Sequence, residues 1–352
     1  MRILRVTLLG LSLAVCASLR AVYAPIPEQE QGKDLTLTLL SGVSYNNNIF
    51  GSASNAIGST VFVVSPGVTS NSSLTDQTFL SLVFNPKLEY FDNRPGSKAL
   101  YSQNASALIA HAFSRTSVLT LSDAYSYNQD PESLLNGEPV NTNQTLQSNQ
   151  FDARYTVSPT EKLGLVVKAR SVYFDYVDQL LGSELNRFEN LYGLEFDYTL
   201  LPNLKAAGEY RHQDVDYSND PSENNKHTDF LMAGFDYNLG PKLSASTRLG
   251  AEDRTREGSS SQSSPYAEFS FKYAYAKASF VSVGYTYSLE ESSDPVHFTD
   301  EKVNRIFTNL QYALTPNVIG SASVDYEPST LLGRNGQSDE SEDSTHAGLA
   351  LT

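Results

Sequence analysis

The chain has no tryptophan, one cysteine, and no long apolar run after residue 24. Each absence excludes something. The lone Cys16 leaves nothing for a disulfide to join within the chain, and no thiolate chemistry beyond the N-terminal segment. Without about 18 consecutive apolar residues there is no transmembrane helix. Charge is also scarce, at 18% of residues, and its balance is acidic, with a formal net charge of −15. A nucleic-acid partner needs a concentrated basic face, which is missing, so none is expected. Catalytic signatures are absent too: no G-x-S-x-G, phosphate-binding loop or dinucleotide fingerprint occurs. The histidines His111, His212, His227, His297 and His346 make no H-E-x-x-H pair and neighbour no cysteine. The chain is therefore expected to be no enzyme and to hold no metal or cofactor. The acidic groups Asp339, Glu340, Glu342, Asp343 and Asp220, Glu223, Asp229 lack calcium-loop spacing and are expected to be hydrated loop.

What is present begins with an N-terminal targeting pattern. Arg2 and Arg5 precede an apolar segment at 6–19, and Val22-Tyr23-Ala24 follows with small or modest residues at the two positions a signal peptidase reads. At about 1.5 Å per residue that segment reaches roughly 21 Å, short of the roughly 30 Å hydrocarbon core. Residues 1–24 are thus expected to be a cleaved signal peptide, 25–34 a polar linker, and 35–352 the folded part. Removing 1–24 removes Arg2, Arg5 and Arg20 and makes the balance more acidic still.

The folded part is written in period two. Phe151, Ala153, Tyr155 and Val157 alternate with Gln150, Asp152, Arg154 and Thr156. Phe188, Tyr192, Leu194, Phe196 and Tyr198 alternate with Glu189, Gly193, Glu195 and Asp197, and the same pattern runs through 267–275. Alternation over this length describes strands with one apolar and one polar face. Strands are expected near 35–45, 60–68, 78–91, 99–113, 117–127, 149–158, 163–176, 188–199, 204–217, 227–237, 242–254, 266–275, 278–288, 303–313, 318–327 and 345–352, about sixteen in all. Short turns (for example Ser114-Arg115-Thr116, Pro159-Thr160-Glu161 and Leu201-Pro202-Asn203) alternate with long polar connections at 128–147, 177–187, 218–226, 255–264, 289–301 and 328–343. Turns on one side and loops on the other is the asymmetry of an outer-membrane barrel. The expected fold is an all-β transmembrane antiparallel up-and-down β-barrel, with periplasmic turns and extracellular loops, in the outer membrane of a Gram-negative bacterium.

Tyr155, Tyr198, Tyr237, Tyr275 and Tyr312 each stand just before a short turn and recur roughly every 40 residues. They are expected to form the periplasmic aromatic girdle. Tyr125, Tyr127, Tyr173, Tyr176, Tyr217, Tyr287 and Tyr326 are expected to form the outer one. If the apolar face meets lipid, the other face lines the lumen. It carries Arg154, Lys168, Arg170, Lys205, Arg211, Arg248, Arg254, Lys272 and Arg305, with Glu195, Glu209, Glu252 and Glu268. Such charges either pair and stiffen the wall or set which solutes pass. With the faces so assigned, Arg in place of Glu195 is expected to be tolerated and to alter only conductance, while Arg in place of Phe196 near mid-membrane is expected to cost about 2–4 kcal/mol.

A family resemblance rests on Gly42-Val43-Ser44-Tyr45-Asn46-Asn47-Asn48-Ile49-Phe50, then Val63-Val64-Ser65-Pro66-Gly67-Val68, and on the Tyr-x-Leu-x-Pro-Asn turns at 198–203 and 312–317. These resemble the β-barrel porin 2 family and related outer-membrane barrels found beside exopolysaccharide-synthesis genes. The resemblance covers roughly 35–352 and implies a passive porin-like conduit that exports exopolysaccharide. It also implies contact with membrane lipid, lipopolysaccharide, the barrel-assembly machinery and polysaccharide. It carries over no functional residue. The alternative is a non-conducting structural or adhesive barrel that binds through its loops. One departure is the end of the chain, Leu349-Ala350-Leu351-Thr352, which lacks the usual terminal aromatic and is expected to reflect truncation.

Overall fold

A computed structural model describes residues 34–351 apart from 48, 51–56, 130–133, 136–137, 140–144, 219–223, 241, 258–260, 277, 293–296, 316–317 and 335. The signal peptide and nearly all of the linker therefore lie outside the described residues. Sixteen strands form one antiparallel sheet, with neighbours in the sheet following chain order throughout. They are β1 (Leu35–Asn46), β2 (Ser59–Thr75), β3 (Thr78–Phe91), β4 (Ala99–Ser114), β5 (Ser117–Asn128), β6 (Leu146–Val157), β7 (Leu163–Tyr176) and β8 (Arg187–Leu201). The rest are β9 (Leu204–Tyr217), β10 (Lys226–Leu239), β11 (Leu243–Arg256), β12 (Gln262–Ala276), β13 (Ser279–Glu291), β14 (Phe298–Thr315), β15 (Val318–Gly333) and β16 (Glu340–Leu351). The fold class is the transmembrane antiparallel up-and-down β-barrel expected from the alternation. Among the described residues no helix is long and apolar enough to cross a membrane. The helix α1 (Gln179–Leu185) sits in the connection after β7.

The chain divides into two compact units. The first holds Met1–Pro131, Asn141–Ala153 and Val172–Asp178; the second holds Glu132–Val140, Arg154–Ser171 and Gln179–Thr352. In the first unit, Leu35, Leu37, Leu39, Val43 and Tyr45 stand exposed along β1. Phe62 on β2 and Tyr90 on β3 are exposed register partners with ring centroids 6.4 Å apart. The opposite face carries the buried Ser59, Asn71 and Ser102 and the ion pair of Lys87 with Glu89 at 2.7 Å, while His111 bonds its register partner Thr78 at 2.8 Å on the exposed face.

In the second unit the outward face is apolar in the same way. Phe196 is 60% exposed while its neighbour Glu195 is 4% exposed. Leu194, Tyr210, Leu231, Phe235, Leu249, Phe269 and Leu310 continue the exposed face. An apolar surface of this extent needs lipid rather than water against it.

Five of the short turns share a device that the sequence does not announce. Ladder registers slip by one residue just before them, between Thr199 and Leu201, Ala274 and Ala276, and Ala313 and Thr315 in the second unit. The same slip separates Ser73 from Thr75 and Ala112 from Ser114 in the first unit. The bulged residues are Leu200, Tyr275, Leu314, Leu74 and Phe113, all large, apolar and exposed. A bulge adds one residue and re-aims its side chain, here placing a bulky apolar group at the turn end of each of these hairpins.

Three expected loops are shorter than read. Strand continues through 289–291 and 298–301, and through 328–333, because these polar stretches keep their ladder partners. Part of 177–187 is helix α1. Polarity marks where lipid ends, but hydrogen bonding decides where a strand ends, and these strands outrun the apolar band.

Candidate functional site

The charged face of the second unit is a buried ion-pair network. Lys168 on β7 donates to Glu195 on β8 and to Glu209 on β9, both at 2.7 Å. Arg211 on β9 donates to Glu209 at 2.8 Å and reaches the Tyr266 hydroxyl at 3.1 Å and Glu268 at 3.4 Å on β12. Arg248 on β11 meets Asp236 on β10 at 2.9 Å and Glu195 at 3.3 Å. Beside these ions lies an apolar cluster of Phe230, Met232 and Tyr266, with the Phe230 and Tyr266 rings edge to face at 5.4 Å.

These contacts fix the curvature of the second unit. Strands three apart on a flat sheet are about 14 Å from one another, too far for Arg248 to touch Glu195 or for Arg211 to touch Glu268. The sheet must curl toward its charged face until side chains of non-neighbouring strands meet. Gly284 helps at one point: the ring of Phe307, its partner on β14, lies across it where a side chain would stand.

A second network sits at the loop ends of β9 to β14. Lys226 on β10 contacts Glu291 on β13 at 2.6 Å and Asp300 on β14 at 3.0 Å. Arg254 and Arg256 on β11 reach Asp300 at 2.7 and 3.2 Å. The Tyr217 hydroxyl donates to Glu291 at 2.7 Å, and Glu252 accepts the backbone N–H of Leu289 at 2.7 Å. Arg305 on β14 pairs with Glu290 at 3.1 Å and with Glu327 on β15 at 2.5 Å.

The thirteen charged residues read from the sequence thus share the expected face, but in two states. Lys168, Glu195, Glu209, Arg211, Arg248, Glu252 and Arg254 are buried, and Arg154, Arg170, Glu268 and Arg305 are partly so. Lys205 and Lys272 are exposed, with Lys272 over the Phe280 ring at 4.6 Å. The reading in which the buried charges are free to select solutes does not hold for Lys168, Arg211, Arg248 and Arg254, whose carboxylate partners are in contact. Nor does the expected tolerance of Arg at Glu195, which would set a third cation beside Lys168 and Arg248. Sequence reasoning missed Lys226, Arg256, Glu291 and Asp300; their one available signal was the run of charge at the ends of strands.

The five tyrosines before the turns lie on the outward face: Tyr198, Tyr275 and Tyr312 are exposed, Tyr155 and Tyr237 partly so, and Tyr275 stacks on Tyr312 at 6.4 Å. Two tyrosines of the expected outer girdle do not face outward. Tyr176 in the first unit and Tyr217 in the second are buried, because the alternation sets them on the polar face whatever their affinity for an interface.

Among the described residues Glu195, Asp197 and Asp236 place three carboxylates within 4.8 Å of one another. Arg248 bridges Glu195 and Asp236, so the cation such a trio calls for is already a side chain. His212 is held by Asp229 at 2.8 Å and Asp214 at 3.2 Å on the outward face.

No family model matches the chain, and no curated protein does. Solved structures similar to it include the FrpB iron transporter of Neisseria meningitidis, at 13% identity and a TM-score of 0.43, over 92% of this chain and 59% of that one. A bacterial polysaccharide outer membrane secretin is similar at 9% identity and a TM-score of 0.43, over 90% of this chain and 97% of that one. A ferric enterobactin receptor of Pseudomonas aeruginosa is similar at 11% identity and a TM-score of 0.45, over 90% of this chain and 59% of that one. The chain thus spans about three fifths of the two iron-related proteins' lengths. At this distance no function passes from them to it.

Proposed function

We propose that the chain is a Gram-negative outer-membrane β-barrel that serves as a gated passive conduit, without catalysis. The observation that carries this is the second unit's inner face, where buried charges on non-neighbouring strands pair across the sheet. Replacing buried ion pairs by well-packed apolar residues is often neutral or stabilising by about 1–4 kcal/mol. A wall that stays ionic although its charges are paired is suited to taking up water when the pairs part. A permanently sealed wall has no such use for charge. The cargo implied by the family resemblance is an exopolysaccharide. The partners that go with this role are membrane lipid, lipopolysaccharide and the assembly machinery.

A second reading has its own support. The Phe230–Met232–Tyr266 cluster and the buried Val215, Val303 and Phe307 lie among the ions, and such filling suits a non-conducting structural or adhesive barrel. Single-channel recording in a planar bilayer separates the two. A gated conduit gives brief, resolvable openings that lengthen in Asp300→Asn. Silence in both the parent chain and the variant excludes the conduit.

A further inference from the structure

At the loop end of the second unit, like charges stand opposite one another twice. Lys226 is the register partner of Arg256 across β10 and β11, and Glu291 is the register partner of Asp300 across β13 and β14. Directly opposed like charges repel, so neither pair is stable by itself. They are stable against each other, with Lys226 touching both carboxylates and Arg254 and Arg256 converging on Asp300. Tyr217 adds a hydroxyl donor to Glu291.

The carboxylates reach this pocket because the β13–β14 hairpin end has left the plain pattern of one exposed and one buried face. Leu289, Glu291, Phe298, Asp300, Glu301 and Val303 are all buried, so consecutive residues are covered on both sides. A register slip between Phe298 and Asp300 accompanies the change. Arg256 also holds the Thr299 carbonyl oxygen and reaches the Asn224 carbonyl oxygen at 3.3 Å. The hairpin end is thus a tethered dicarboxylate seated in a pocket of three cations and a phenol.

We propose that Tyr217, Lys226, Arg254 and Arg256 form a binding site for a carboxylate-bearing solute, which Glu291 and Asp300 occupy until such a solute displaces them. The inference deepens the conduit reading and rests on it for its biological sense: the cargo itself would release the hairpin. The ligand class follows from the occupant present, since the pocket already holds two carboxylates with the donors that suit them. A free solute must outcompete a tethered one, whose effective concentration is of order millimolar. A solute with several carboxylates is favoured for that reason.

Because the chain has no tryptophan, Phe298→Trp places a single tryptophan, excited selectively over the tyrosines, in the hairpin end. The protein in lipid vesicles is titrated with oligogalacturonate and, separately, with succinate. Maltohexaose and sodium chloride at matched ionic strength are the controls. A saturable red shift with a carboxylate and none with the controls is the expected result. The source acting at the lower concentration tells an acidic saccharide from a small dicarboxylate. Adding Asp300→Asn should lower the half-effective concentration about tenfold, since the internal competitor is weakened. An unmoved emission in folded protein, or an equal shift with chloride or neutral sugar, overturns the proposal. If tryptophan at 298 prevents folding, Leu289→Trp gives the same reading. The fluorescence does not depend on current, so a silent bilayer with an intact shift discards the conduit and keeps the site.

Discussion

The ammonium of Lys226 lies 3.0 Å from a carboxylate oxygen of Asp300, although β11, β12 and β13 come between their strands in the sheet. Asp300 answers three cations at once, whereas the next residue, Glu301, is fully buried with no cation in ion-pair contact among the described residues. Neighbours on one strand should therefore respond oppositely to loss of charge. Asp300→Asn leaves buried cations short of a partner and should cost about 3–5 kcal/mol. Glu301→Gln removes a buried charge that has no counter-ion and should be neutral or stabilising. Urea unfolding midpoints in vesicles compare them, and equal losses would refute the assignment of faces at this hairpin.

The Lys168 network makes a similar demand. Lys168→Met leaves Glu195 and Glu209 buried with one cation fewer and should destabilise the fold by about 3 kcal/mol or more. Combined with Glu209→Gln, the loss should be smaller than the sum of the two single changes, because the partners share one network. Strict additivity in a double-mutant cycle would show that the pairs do not matter.

Depth in the membrane is set by the turn ends. Leu231 is outward and well inside β10, whereas Leu239 is outward at its turn. Arg in place of Leu231 should cost about 2–4 kcal/mol, and in place of Leu239 about 0–1 kcal/mol. Phe196, two residues from Tyr198 near the turn, should fall between them. A reversed order in unfolding measurements would misplace the apolar band.

Integral membership of the outer membrane has a direct assay. Such barrels resist detergent until heated, so boiled and unboiled samples should migrate differently on a denaturing gel. Recovery of the protein from the soluble periplasmic fraction, with one mobility, would exclude a membrane wall.

How much of this was legible follows from the range of the interactions. The side-chain period of a strand is local, so Phe196 beside Glu195, or Tyr198 before its turn, discloses strand, face and hairpin from a few residues. The sixteen strands, their order and the apolar outward face come from that alone. What the sequence could not disclose is who meets whom across the charged face. Lys168 and Glu209 are brought together by two intervening hairpin connections, and Tyr217 and Glu291 by four. Such encounters depend on how tightly the sheet curls, a sum of small twists over many strands that no single strand encodes. The same holds for the bulges at Leu200, Tyr275 and Leu314, where ladder register decides which apolar residue is turned outward. Local alternation determined that these charges share a face; only the curvature of the folded sheet decided that they neutralise one another there.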